Sequence, residues 1–99
     1  MKTFYVYILA SDSRRLYTGL TTNLANQLWQ RRTGVYAKAF TRRYRITKLV
    51  SYETTSDARA ATARERQIKA WSRAKRTALI ESVNRDWRDL AVDWLASRP

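Results

Sequence analysis

The sequence contains no cysteine and no histidine. Without thiols there can be no disulfide and no thiolate metal site, which suits a reducing compartment. Without imidazole, zinc fingers, Ser-His-Asp and Cys-His triads and every nuclease mechanism with a histidine base are excluded. Any acid or base must therefore be Tyr, Lys, Asp or Glu. Glycine and proline are scarce too, with only Gly19, Gly34 and Pro99. No linker, repeat or low-complexity stretch interrupts the chain, so residues 1–99 read as one domain with one modest core. The apolar run Phe4 to Ala10 falls far short of the roughly 18 residues a membrane span needs. It is followed by Asp12, Arg14 and Arg15 with no small-residue cleavage site, so it reads as a strand of a cytoplasmic protein.

Acidic residues are the third scarcity, with eight Asp and Glu against twenty Lys and Arg, for a net charge of +12. The imbalance is local. Between Arg14 and Arg76 there are sixteen basic residues and only Glu53, Asp57 and Glu65 as acids. A field of that density attracts a polyanion, and the implied partner is nucleic acid. Arginine outnumbers lysine by fifteen to five, favouring fork-shaped phosphate donors over simple solubilising charge. A ribosome-like or merely soluble basic surface is the plainer alternative. The 44% hydrophobic residues, with four Trp and six Tyr, mark a folded protein with an aromatic core.

Thr3 to Ala10, β-branched and aromatic on both faces, predicts an inner strand, and Ser11 to Arg15 a turn. Leu16 to Leu20 then returns as the second strand of a hairpin. Thr22 or Asn23 caps a helix to about Arg32 with Leu24, Leu28 and Arg31 on one side, ended by Gly34. Val35 to Thr47 has no period and reads as a loop; Lys48 to Glu53 is a third strand. Ser56-Asp57 and Ser72 cap helices over about 58–70 and 73–83, the second with Leu79, Ile80 and Val83 inward. A last helix from about Asp86 to Ala96 is predicted by Trp87, Leu90 and Trp94 at i, i+3, i+7, with Ala91 beside them, making 73–96 a helical C-terminal segment. The expected fold is α+β: a small three-stranded antiparallel sheet flanked by helices, in the order ββαβααα.

With a five-residue turn, Leu9 pairs with Tyr17 and Tyr7 with Gly19, which makes Tyr7 and Tyr17 diagonal neighbours on one face. A glycine inside a strand marks a close approach by a ligand or another group, so two phenols beside Gly19 form a candidate pocket. Taken alone, the pair reads equally as sheet packing. Ala58, Ala61, Glu65 and Ile68 fall at i, i+3, i+7 and i+10, placing a carboxylate on the inward stripe of its helix. Glu65 is then either a structural acid bridged to Arg64 or Arg66, or an oxygen ligand for magnesium, which binds through few carboxylates and keeps its waters.

Tyr5-Val6-Tyr7, ten residues on to Tyr17-Thr18-Gly19, then Thr22-Asn23-Leu24, resembles the GIY-YIG nuclease domain. Phe40-Thr41-Arg42-Arg43-Tyr44, Leu49-Val50-Ser51-Tyr52-Glu53 and the run Arg64 to Trp71 extend the likeness. Leu79 to Trp87 is similar to the small stand-alone bacterial members. The resemblance implies single-metal hydrolysis of a DNA phosphodiester. A tyrosine, matching Tyr7, helps deprotonate water beside a second, matching Tyr17; a glutamate, matching Glu65, holds one Mg²⁺ or Mn²⁺ ion.

Two positions depart from that pattern. Gln27 stands where the family's catalytic arginine is expected, and Arg31 where stand-alone members commonly have histidine. Gln27 carries no charge, but Arg31 lies one turn further on the same helix face and is a candidate substitute. Tyr5 replaces the motif's usual glycine, and Asn84 is a candidate structural asparagine. Arg31 and the loop arginines Arg42, Arg43 and Arg45 are candidate backbone contacts. The sequence thus carries two hypotheses, a metal-dependent endonuclease and a nucleic-acid-binding module of the same fold with impaired catalysis. The C-terminal segment, with Trp87 and Trp94 among Asp86, Asp89 and Asp93, is expected to fold back on the basic domain, leaving a monomer or weak dimer.

Overall fold

The computed structural model describes residues 2–33 and 44–92. They form β1 (Phe4–Ala10), β2 (Leu16–Thr21), α1 (Leu24–Thr33), β3 (Lys48–Thr55), α2 (Ala58–Ala70) and α3 (Arg73–Val83). The three strands make one antiparallel sheet in the order β2-β1-β3. The most apolar strand, β1, takes the centre, where both of its faces are covered. Val6, Ile8 and Ala10 face α2 and α3 and pack with Ala61, Ile68, Ile80 and Trp87. Tyr7 and Leu9 face the other way, against Leu24 and Leu28 of α1. One side of the sheet is therefore aliphatic, and the other carries the tyrosines.

Local signals set the register and the helix ends. Ser11 and Arg15 close the hairpin turn by a backbone bond of 3.0 Å, and the pairs Leu9–Tyr17 and Tyr7–Gly19 follow as expected. Asn23 Oδ1 accepts from Asn26 N at 3.1 Å, identifying it as the α1 cap. Asp57 accepts from Arg59 N and Ala60 N, and Ser72 from Lys75 N, so both predicted caps are in place. Each satisfies donors that the first helical turn leaves without partners.

Two expectations are corrected. Val83 is exposed and not inward, leaving Ile80 as the buried residue of α3 with Leu79 half-buried beside it. No helix begins at Asp86: residues 84–91 form a turn and an irregular segment, with Trp87 at φ 57°. Trp87 packs in the aliphatic core, whereas Leu90 and Ala91 pack on the tyrosine side. A helix would keep Trp87 and Ala91 on one face. The segment instead crosses the edge of β3, where Leu90 N donates to Leu49 O at 2.8 Å. Asp89 holds it there, accepting from Leu49 N and Ala91 N and pairing with Arg32. Gly34, Arg42, Arg43, Asp93 and Trp94 lie outside the described residues. Among those described, no helix is long and apolar enough to cross a membrane.

Candidate nucleic-acid site

The site starts from a missing side chain. A Cβ on Gly19 would lie 2.5 Å from Tyr7 Cζ and closer still to the hydroxyl, so the ring occupies the space that glycine leaves. Its φ is not in the left-handed region, so space alone requires glycine here. Seated this way, Tyr7 is only 2% exposed. Tyr17 stands diagonally across the strand pair with ring centroids 6.5 Å apart and planes inclined by 41°.

Arg31 completes the group from α1. The i, i+4, i+7 spacing from Leu24 turns it inward, and it is 6% exposed. Its Cζ lies 4.3 Å from the Tyr17 ring centroid, in cation–π range. The guanidinium also hydrogen-bonds the Tyr7 phenol. Burial pushes that phenol's pKa above its ordinary 10.0; Arg31 opposes the shift by charge and hydrogen bond, while Tyr17 and Glu65 add to it. The two tyrosines and Arg31 are thus gathered at one place, with Glu65 near enough to act on Tyr7 electrostatically.

Glu65 does not take the partners expected of it. Arg64 turns to β3, where its Nε and Nη2 each donate to Glu53 at 2.9 Å in a two-pronged bridge. Glu65 pairs with Lys69 Nζ at 3.3 Å, one turn along the helix, and its side chain is 20% exposed. Ala58 is exposed, so the inward stripe begins at Ala61. Among the described residues no three acids gather into a metal-binding cluster. A lone, partly exposed carboxylate still fits a magnesium ion that keeps most of its waters, once the flexible Lys69 head moves aside. Gln27 is half-buried on α1. Arg45 is exposed in the turn before β3 at φ 53°.

The raised phenol pKa has a measurable consequence. The folded state holds the Tyr7 proton more tightly than the unfolded chain does, so its contribution is fully present below pH 10 and is lost as pH rises through the folded value. Unfolding free energy should fall above pH 10 more steeply in the parent than in Tyr7→Phe. Parallel profiles in urea titrations would contradict this assignment.

The model described as the GIY-YIG catalytic domain matches residues 3–78. The chain belongs to the GIY-YIG family. Its relatives include a UPF0213 protein of Syntrophus aciditrophicus, 38% identical over 82% of this chain and 93% of its own. A UPF0213 protein of Natronomonas pharaonis is 40% identical over 77% of this chain and 88% of its own. These relatives span archaea as well as bacteria, wider than the bacterial subgroup the sequence suggested. The solution structure of a UPF0213 protein from Bacillus halodurans shares the fold, with a TM-score of 0.55 at 24% identity over 91% of this chain and 96% of that one.

Sequence reasoning missed Tyr52 of β3. It pairs with Tyr7 in the register and lies 6.4 Å from Tyr5 between ring centroids, extending the tyrosine row to the far edge of the sheet. Alternation hides it: Val50, two residues earlier, packs in the aliphatic core, and the bulge opposite Ile8 and Leu9 turns Tyr52 to the other face. It also missed Asp89 as the partner of Arg32, which no local pattern announces.

Proposed function

We propose that this chain is a nucleic-acid-binding domain of the GIY-YIG fold that engages a phosphodiester at the tyrosine face and cleaves it poorly or not at all. The observation that carries this reading is the exchange of cation along α1. The position where the family's arginine is expected holds neutral Gln27, while Arg31, one turn on, lies buried under Tyr17 and bonded to Tyr7. A guanidinium in that place adds positive potential to the site but presents little of itself to a transferring phosphoryl group, where donors must meet charge as it develops. Burial that raises the Tyr7 pKa also makes it harder for that phenol to act as a base near neutral pH. The charge of +12 supplies the attraction for nucleic acid in either case.

A second reading, metal-dependent hydrolysis, is favoured by the same Arg31, which restores a cation beside Tyr7. A magnesium or manganese ion held by Glu65 would supply stabilisation of the leaving oxygen. Tyr7, once ionised to its phenolate, would take the proton of the attacking water and return to the neutral phenol, with Tyr17 and Arg31 fixing its position.

Equilibrium binding of labelled duplex and single-stranded DNA, in chelator and in magnesium, separates the readings. The proposal expects salt-dependent binding that needs no metal, with the oligonucleotide recovered intact. A magnesium-dependent product that disappears in both Tyr7→Phe and Glu65→Ala would establish the second reading. No binding at low salt would defeat both.

A further inference from the structure

We propose that the tip of the β1–β2 hairpin and the opening turn of α3 form a second surface for a nucleic-acid backbone, through Arg14, Arg73 and Lys75. The proposal rests on the nucleic-acid reading above and adds a contact on the opposite side of the sheet from the tyrosines.

The two adjacent arginines of the turn part company. Arg15 places its Cζ 4.0 Å from the ring centroid of Tyr44, a residue of the tyrosine-side core. Arg14 places its own 4.5 Å from Trp87, in the core beneath α2 and α3. The hairpin tip thus carries positive charge around the end of the sheet from one face to the other. Arg73 reaches the same place, donating from Nη2 to the Arg14 carbonyl at 2.6 Å. Lys75 Nζ sits 4.8 Å from the ring centroid of Trp71, which packs against the core that contains Trp87. Two indoles therefore seat Arg14 and Lys75, with Arg64 also 5.0 Å from the Trp71 centroid but bridged to Glu53, and Arg73 is tied to the turn through the Arg14 carbonyl.

Arg14, Arg73 and Lys75 are all exposed. The ion pairs among the described residues belong to Arg32, Lys48, Arg64 and Lys69, so none of the three is neutralised there. The nearby acids are otherwise engaged or few. Asp12 pairs with Lys48 at 3.5 Å, and Glu81 accepts from Trp87 Nε1 at 2.8 Å. Asp86, next to Trp87 in sequence, is exposed and stands as the remaining acid of the neighbourhood.

Helix stability does not account for these cations. The first turn of α3 has Arg73, Lys75 and Arg76 and no acid, against the preference of a helix N-terminus for negative charge. Arg14 occupies φ 66°, where glycine or asparagine would be easier. The helix end is not itself the site; it carries positive side chains toward a turn that also carries them. A polyanion is the ligand that converts this repulsion into attraction. Phosphates read in this way confer position without base sequence.

The test compares two pairs of substitutions that remove equal charge: Arg14→Gly/Lys75→Ala at the proposed surface, and Arg59→Ala/Arg66→Ala on the exposed side of α2. Binding of a short labelled duplex and of the matching single strand is followed by fluorescence anisotropy across a salt series. For duplex, the first pair should reduce the slope of log affinity against log salt by about 2, since each phosphate contact contributes about 0.9. The α2 pair should change the slope by less than half of that. Equal losses in both pairs would show a diffuse field and overturn the surface, as would an unchanged slope in the first pair. Arg14→Gly alone should weaken binding while melting no lower than the parent, because glycine suits the left-handed turn. Lower melting with unchanged binding would make Arg14 structural and end the proposal. Absence of binding by the parent would instead refute the nucleic-acid reading itself.

Discussion

Asn84→Ala should destabilise the fold by about 3 kcal/mol, because a buried acceptor left without its donor costs about 1–3 kcal/mol and further bonds are lost with it. Asn84 is buried just after α3, and its Nδ2 donates to Val50 O at 3.1 Å and to Arg88 O at 2.8 Å. Its Oδ1 accepts from Arg88 N at 3.0 Å. One side chain thereby ties the centre of β3 to the segment that crosses its edge. Val50 O has no route to water once that amide is gone, whereas Arg88 is exposed and can be solvated. With roughly 4–8 °C of melting temperature per kcal/mol in a domain of this size, the fall should exceed 10 °C. Asn84→Asp should be at least as damaging: it keeps the oxygen facing Arg88 N but replaces the donor to Val50 O with a second acceptor. A melting temperature within about 2 °C of the parent for either variant would contradict the role given to Asn84.

Gly19→Ala is expected to destabilise by about 1–3 kcal/mol, the usual cost of forcing atoms into a filled core. The added methyl would stand 2.5 Å from Tyr7 Cζ, and Tyr7 is a buried ring at 2% exposure rather than a side chain free to swing into solvent. The ring must move, and with it the hydrogen bond to Arg31 and the approach to Tyr17. Loss of stability and loss of nucleic-acid binding should therefore appear together. Shortening the partner supplies the check: Tyr7→Leu in the Gly19→Ala background should recover part of the melting temperature, so that the two changes are coupled rather than additive. Strict additivity, or a Gly19→Ala protein as stable as the parent, would mean that Gly19 is not holding space for Tyr7.

Periodicity made much of this site legible. Strand alternation fixes Tyr7 and Tyr17 on one face once the turn length is known, and the turn was readable from its polar residues. The placement of Arg31 followed from the three-and-four spacing of α1 after Leu24. What the sequence could not convey were contacts between distant segments. Arg64 lies beside Glu65 in the chain, yet Glu53 on β3 captures it, leaving Glu65 to Lys69. The spacing of Trp87, Leu90 and Ala91 imitates a helical stripe, but Asn84 and Asp89 satisfy the backbone of an irregular segment instead. Nothing local marks Trp87 for a left-handed conformation, since a bulky residue there is uncommon. Arg45 lies in an exposed turn, and Arg42 and Arg43 fall outside the described residues.

The central claim is that the tyrosine site keeps its architecture and lacks a cation at residue 27. Plasmid nicking in magnesium by the parent and by Gln27→Arg tests it most directly, because the substitution restores charge without touching Tyr7, Tyr17, Arg31 or Glu65. The account predicts little or no nicking by the parent and clear metal-dependent nicking by Gln27→Arg, abolished again by Tyr7→Phe. Nicking by the parent at the variant's rate, or by neither protein, would contradict it.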